Sequence, residues 1–171
     1  MVTQLDWSYT LSEIPEDGLS SRRSASAEQR AALAAELDLL DCKRLDVRYE
    51  IRPLSHGRYR LTGKLEADVT QNCVVSLEPV DSHIHEPIDV EFRPGERPSG
   101  DFDALDDRDI EPLEDGGVIP VGRIVYELLS SSLDPYPRKE GIELQPESSA
   151  PDGPEARDNP FAVLKNLKPG A

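Results

Sequence analysis

Apolar and polar positions along the chain change period several times, and each change marks an element. Leu5, Trp7 and Tyr9 alternate with polar neighbours, which predicts a short strand. A loop through Pro15 and Gly18 follows. Ser26-Ala-Glu-Gln29 has the form of a capping box, in which the serine oxygen accepts the Gln29 amide and Gln29 reaches back to the serine N–H. From Ala27 to about Leu40, Leu33, Leu37 and Leu40 recur at helical spacing beside Ala34, so a helix burying that stripe is predicted.

At Arg44 the period becomes two. Leu45, Val47, Tyr49 and Ile51 alternate with Arg44, Asp46, Arg48, Glu50 and Arg52. After Pro53-Leu-Ser-His-Gly57 the alternation resumes with Tyr59, Leu61, Leu65, Ala67 and Val69, the pattern of an antiparallel hairpin with one buried and one solvated face. Gly63 falls on the inward register, where a bulge or a close backbone approach is expected. A further strand is predicted from about His83 to Phe92, with Ile88, Val90 and Phe92 inward and Pro87 suited to an edge or a strand end. Residues 94–117 read as an acidic loop. Pro120 then opens a second helix to about Leu133, with Ile124, Val125, Leu128 and Leu129 as its apolar stripe and Pro135 and Pro137 as its stop.

These elements define an α+β fold: an antiparallel sheet, the hairpin plus further strands, packed with two helices, and a disordered C-terminal tail. The domain is expected to cover residues 1–140. Over residues 141–171 the Pro-, Ser- and Glu-rich composition cannot bury enough apolar area to offset the entropy of ordering. Apolar character returns at 159–168, in Asn159, Pro160, Phe161, Leu164 and Leu167. That segment reads either as a docking peptide on a tether or as a final turn folded back on the core.

Composition limits what such a fold can do. With 37% hydrophobic and 5% aromatic residues, the chain supports one modest core. No apolar run approaches the roughly 20 residues of a membrane-spanning helix. The amino terminus lacks the basic start and apolar stretch of a secretory signal, so a soluble, cytoplasmic protein with no membrane partner is expected. Cys42 and Cys73 cannot form a disulfide framework and read as reduced, buried thiols. Cys73-Val-Val-Ser76 has the spacing of a zinc knuckle with serine in the second position; His83 and His85 would bring the ligands only to three, short of the four a structural zinc site takes. There is no Gly-x-Ser-x-Gly elbow and no phosphate-binding glycine loop, and the histidines at 56, 83 and 85 identify no base. The expectation is therefore no catalysis, no cofactor, no metal and no small-molecule substrate.

A net charge of −15 counts against a generic nucleic-acid binder, but the charges are unevenly spread. Arg44, Arg48, Arg52, Arg58, Arg60 and Lys64 all project from the outer face of the predicted hairpin, because strand side chains alternate. A basic two-stranded face suits phosphate contact, since Arg binds phosphate oxygens bidentately. It equally suits a solvated sheet face, or one paired with the chain's own acidic loop. That loop carries Glu96, Asp101, Asp103, Asp106, Asp107, Asp109, Glu111, Glu114 and Asp115 against Arg97 and Arg108, and could shield the basic face or engage a basic partner.

Three segments together resemble the YceD family of large ribosomal RNA subunit accumulation proteins: Cys73-Val-Val-Ser-Leu-Glu-Pro-Val80, the stretch from Gly117 to Arg138 ending in Asp134-Pro-Tyr-Pro-Arg138, and Asn159-Pro-Phe-Ala-Val-Leu-Lys-Asn-Leu-Lys168. The resemblance makes Cys73, Leu77, Glu78, Pro79, Pro135, Tyr136, Pro137 and Arg138 motif positions with structural roles. Many relatives carry two cysteines where this chain has Cys73 and Ser76, which implies that packing, not a zinc ribbon, holds the loop here, with Glu78-Pro79 turning after a buried Leu77. It also implies a bacterial or plastid role in synthesis, processing or stability of large-subunit (23S) ribosomal RNA, with no catalytic residues. The leading expectation is a non-enzymatic ribosome-biogenesis factor touching ribosomal RNA or a large-subunit precursor through the basic hairpin. The alternative is an acidic adaptor or chaperone that holds a basic ribosomal protein or an rRNA-processing nuclease through the acidic loop and residues 159–168.

Overall fold

The computed structural model describes residues 5–94, 109–113 and 116–141. The chain separates into two units, Met1–Glu140 and Gly141–Ala171, and the described strands and α-helices all belong to the first. In order they are β1 (Tyr9–Thr10), β2 (Leu19–Ser24), α1 (Ala27–Glu36), β3 (Asp41–Pro53), β4 (Tyr59–Asn72), β5 (Pro79–Arg93), β6 (Asp109–Pro112), β7 (Val118–Ile119) and α2 (Val121–Ser132). Strands β2-β3-β4-β5-β6 form one sheet, and β1 with β7 forms a two-stranded ribbon. The fold is α+β, as the periodicities predict, but the large sheet is mixed: β6 joins β5 in parallel, within a stretch read from sequence as loop.

The predicted hairpin is β3–β4, paired from Asp41↔Thr70 to Pro53↔Tyr59. Its inward residues Leu45, Val47, Tyr49, Ile51, Leu61, Leu65, Ala67 and Val69 are buried, and Ile84, Ile88, Val90 and Phe92 of β5 continue the same face. Leu33 and Ala34 of α1 and Ile124, Val125 and Leu129 of α2 close over it, all within one apolar cluster. Each large side chain removed from water there contributes roughly 1.5–3 kcal/mol. The opposite face of the sheet carries the charged residues.

Several boundaries differ from the sequence reading, each for a local reason. Helix α1 has the Ser26–Gln29 capping box but ends at Glu36, not near Leu40. Asp38 takes a left-handed conformation (φ 54°), and the Leu39 N–H returns to the Ala34 carbonyl at 2.8 Å, a Schellman-type stop. That turn shifts the phase, so Leu39 is buried and Leu40 is 51% exposed. Strand β2 escaped prediction because Leu-Ser-Ser-Arg-Arg-Ser has one apolar residue, as an edge strand can. Only Tyr9 and Thr10 of the predicted first strand pair, with β7, yet Leu5 and Trp7 are buried. Gly122 explains the second fact: a Cβ there would lie 2.0 Å from the Leu5 carbonyl oxygen, so α2 sits directly on that segment.

Gly63 marks a close approach without a bulge. Register runs unbroken through Tyr49↔Gly63, and the one shift lies between Cys42 and Arg44. A Cβ at Gly63 would fall 2.4 Å from the Arg48 carbonyl oxygen and 2.9 Å from Tyr49 Cα. Pro87 sits where β6 does not reach, since β6 pairs only Val90–Arg93, so its missing N–H costs no ladder bond on that side.

Candidate nucleic-acid interface

Because register fixes which side chains stand opposite one another, the outer face of β2-β3-β4 resolves into transverse rows. Arg52 faces Arg60; Glu50 faces Ser20 and Thr62; Arg48 faces Arg22 and Lys64; Asp46 faces Ser24 and Glu66; Arg44 faces Asp68. On β5, Glu91, Asp89, Pro87, His85 and His83 extend these rows in turn. Charge sign alternates along β3 and changes from basic to acidic along β4, so the face is not uniformly basic.

Four of the six predicted cations are held by carboxylates of this chain. Arg44 reaches Asp68 at 2.8 Å, Glu66 at 3.4 Å and Asp46 at 3.6 Å. Arg52 pairs with Glu50 at 2.9 Å, and Arg60 grips Asp89 through two nitrogens at 2.8 and 2.6 Å. Arg58 meets Glu91 at 3.1 Å, and Arg93 meets the same carboxylate at 2.9 Å. Glu91 is only 3% exposed; burial alone would raise its pKa, but Arg93 and Arg58 outweigh it and hold the carboxyl below its ordinary value. Hydrogen bonds from His83 and Arg44 likewise lower Asp68.

The middle row is different. Arg48 and Lys64 make no ion pair among the described residues, and Arg22 has only Asp46, at 3.9 Å. All three are exposed, and they lie directly across neighbouring strands, about 4.8 Å apart. Like charges in direct cross-strand register destabilise a sheet. The row also lines a depression of about 750 Å³ with the hydroxyls of Ser20, Ser21 and Thr62 and the carboxylates of Asp46, Glu50 and Glu66. Three cations flanked by hydroxyls, with the adjacent carboxylates one row away, make an arrangement able to take phosphate oxygens. Arg22 was invisible to sequence reasoning because β2 was; Gly18 with Leu19 was its one trace. A turn at Gly18 is needed, since it has φ 94° and a Cβ would meet the Ile51 carbonyl oxygen at 2.9 Å.

The motif positions gather elsewhere, around the β4–β5 connection. Cys73 is fully buried yet outside the apolar cluster. Its Sγ accepts the N–H groups of Ser76 and Lys139, each at 3.4 Å. Hydrogen bonds from Ser76 first, and then from the Lys139 backbone, lower the thiol to about 6. Burial pushes the Cys42 thiol up. Cys73 is thus a hydrogen-bond acceptor at the centre of a knuckle, rather than a small apolar filler. The Cys73 carbonyl accepts from Leu77 at 2.9 Å and its N–H donates to Glu78 at 2.8 Å. The segment after α2 is tied on by Val74 N–H to the Pro137 carbonyl at 2.9 Å and by Lys139 to Glu78 at 3.1 Å.

Leu77 is not buried as the resemblance implied. Its backbone is left-handed (φ 61°), which turns the side chain out to 75% exposure. Backbone hydrogen bonds, with two further N–H donors to the buried Cys73 sulfur, hold the loop. Pro79 opens β5, Pro137 is buried, and Pro135, Tyr136 and Arg138 are exposed. His83 and His85 stand on the outer face, against Asp68 and Glu66, away from Cys73. No group of three or more His, Cys, Asp or Glu side chains is arranged to hold a metal among the described residues. No described helix is long and apolar enough to cross a membrane. Asn159, Pro160, Phe161, Leu164 and Leu167, and the acidic loop from Glu96 to Arg108, lie outside the described residues.

The model of a protein family described as large ribosomal RNA subunit accumulation protein YceD matches residues 61–168, more than half of the chain. No curated protein and no solved structure matches.

Proposed function

Because the chain belongs to the YceD family, we propose that it supports large-subunit (23S) ribosomal RNA accumulation in the cytoplasm by holding RNA rather than by catalysing a reaction on it. The link to accumulation of large-subunit ribosomal RNA comes with the family. The contact surface is narrower than a basic hairpin: it is the Arg22–Arg48–Lys64 row, running across three strands.

One observation carries this reading. Every other predicted cation of the outer face has a carboxylate within 3.1 Å, whereas Arg48 and Lys64 have none among the described residues and stand opposite each other. A fold gains nothing from that juxtaposition, but a phosphodiester backbone lying across the row would neutralise it. Each phosphate held contributes about 0.7 to the salt slope of binding to a single strand.

The test is a pair of neutral substitutions, Arg48→Gln with Lys64→Gln, in the full chain. Binding to deproteinised large-subunit ribosomal RNA is followed across a salt series. The variant should bind more weakly, with a salt slope reduced by about 1–2. Its melting temperature should stay level or rise, because a like-charge contact is removed. Unchanged affinity and slope would sink the proposal. Reversing Arg58 or Arg60 would be a poorer test, since it would also break the pairs with Glu91 and Asp89.

A further inference from the structure

Exposed large apolar side chains are few among the described residues: Leu40, Leu54, Val74, Leu77 and Tyr136. Three of these five belong to the knuckle and to the segment hydrogen-bonded to it. Val74 is 46% exposed, Leu77 75% and Tyr136 70%. They sit on two segments of chain fixed to each other by Val74 N–H to the Pro137 carbonyl and by Lys139 N–H to Cys73 Sγ. Tyr136 is further held by its own N–H on the Asp134 carboxylate at 2.9 Å, between two prolines.

Leu77 is the telling residue. Among the described residues, three other than glycine have left-handed backbones: Asp38, His56 and Leu77. Asp and His are types that tolerate this conformation, and they serve a helix stop and the β3–β4 turn. Leucine does not tolerate it well, and glycine would make the same turn at lower cost. The side chain gains nothing inside the molecule at 75% exposure. Backbone strain combined with an exposed apolar group, on a loop already rigid, is the pattern of a contact residue.

We infer that Val74, Leu77 and Tyr136 form a docking surface for a basic protein of the large-subunit particle, distinct from the cation row. The inference rests on the reading that the chain works at such particles. A protein occupant follows from the chemistry of the patch: two aliphatic side chains and a tyrosine, with the exposed Arg138 at its margin, have the make-up of protein-interface anchors. That the occupant is basic follows from charge. The chain carries 34 acidic against 19 basic residues, so its field attracts cationic proteins and repels acidic ones. Near the patch Asp134, Glu78 and Glu140 stand against Arg138 and Lys139, with Glu78 paired to Lys139, so the attraction comes from the chain as a whole.

The experiment uses the labelled full chain, RNA-free total protein extracted from large ribosomal subunits, and deproteinised large-subunit ribosomal RNA, each titrated separately. Leu77→Gly with Tyr136→Ser is the diagnostic variant. Glycine suits φ 61°, so the variant should melt no lower than the parent, and lost binding is not lost folding. The parent should bind the protein fraction saturably, the variant at least about tenfold more weakly, with RNA binding the same for both. Equal binding of parent and variant to the protein fraction overturns the inference, as does a variant weakened towards RNA instead. The Arg48→Gln with Lys64→Gln chain separates the two proposals: it should bind protein normally, and its behaviour towards RNA judges only the cation row.

Discussion

Replacing Gly63 by alanine tests how the sheet sets the spacing of the cation row. The new Cβ would stand 2.4 Å from the Arg48 carbonyl oxygen and 2.9 Å from both Tyr49 Cα and Cβ. These are atoms of a central strand, held on one side by β2 and on the other by β4, so no flexible side-chain tip can swing away. Relief requires β3 and β4 to part locally, which weakens the ladder at Tyr49↔Gly63 and Arg48↔Lys64. Overpacking of this kind costs about 1–3 kcal/mol. Removing glycine's backbone freedom returns about 0.5–1 kcal/mol, leaving a net loss of roughly 1–2 kcal/mol. For a chain of this size that is a fall in melting temperature of about 2–8 °C. Thermal unfolding by circular dichroism measures it, with Gly116→Ala as a comparison, where a Cβ meets nothing within 4 Å and φ 88° alone opposes the change. A Gly63→Ala chain that melts at or above the parent would refute the argument that contact across β3–β4 selects glycine.

Two further outcomes follow from ionisable groups. The Cys73 thiol is lowered to about 6 by hydrogen bonds that exist only in the fold, so the unfolded chain binds its proton more tightly. Its contribution to stability is fully present above the ordinary thiol pKa of about 8.5 and is lost as pH falls through about 6. Melting curves at pH 6 to 9 should show a rise with pH in the parent that is absent in Cys73→Ala; parallel profiles would contradict a folded thiolate. Glu91→Gln removes the shared carboxylate of Arg58 and Arg93, which are 35% and 39% exposed and can turn to water. A loss of about 1.5–3 kcal/mol is expected in urea unfolding at pH 7. Because the Glu91 pKa is lowered in the fold, the difference should shrink as pH falls below the ordinary glutamate range; a difference that persists at still lower pH would be a packing effect.

The core was legible in the sequence because burial imposes a period. Leu45 to Ile51 alternate without interruption and Leu61 to Val69 with only Gly63 between, and every one of those apolar residues is buried. What escaped lies where burial does not dictate sequence. Strand β2 is held by one β3 edge and buries little, so Ser20, Ser21, Arg22 and Arg23 carry no periodic signal. Strand β6 pairs in parallel over four β5 residues, inside a run whose acidity reads as loop. The charged face was read with the right side chains and too simple a sign. Alternation tells which residues point outward, but pairing needs cross-strand partners, and Asp68, Asp89 and Glu91 come from β4 and β5. Leu77 was misassigned because exposure there depends on a backbone angle, which leucine does not advertise.

Departures from local rules sort into two kinds, and the sorting supports two surfaces rather than one. Gly63, Gly122 and the left-handed Asp38 each have a structural reason inside the molecule: a close strand, the Leu5 carbonyl, a helix stop. The Arg48–Lys64 juxtaposition and the exposed side chain on the left-handed Leu77 have none, and each lowers stability for no internal return. Natural folds keep such costs mainly where something binds. The two sites also differ in chemistry, one a row of cations bordered by hydroxyls and carboxylates, the other apolar with an aromatic anchor. They differ in position too: residues 61–168, which match the family, contain the whole knuckle but only Lys64 of the row. A chain with net charge −15 does not attract RNA as a whole, so the proposed contact at the row would be a local one. Attachment through a basic protein at the knuckle would supply the proximity that the row's weak field lacks, raising the effective concentration of RNA at the sheet. On that logic the knuckle variant should weaken association with intact large-subunit precursors more than the row variant does, although it leaves binding to naked RNA untouched. Sedimentation of both variants with purified precursors decides this, and a greater loss for the row variant would make RNA contact the primary attachment.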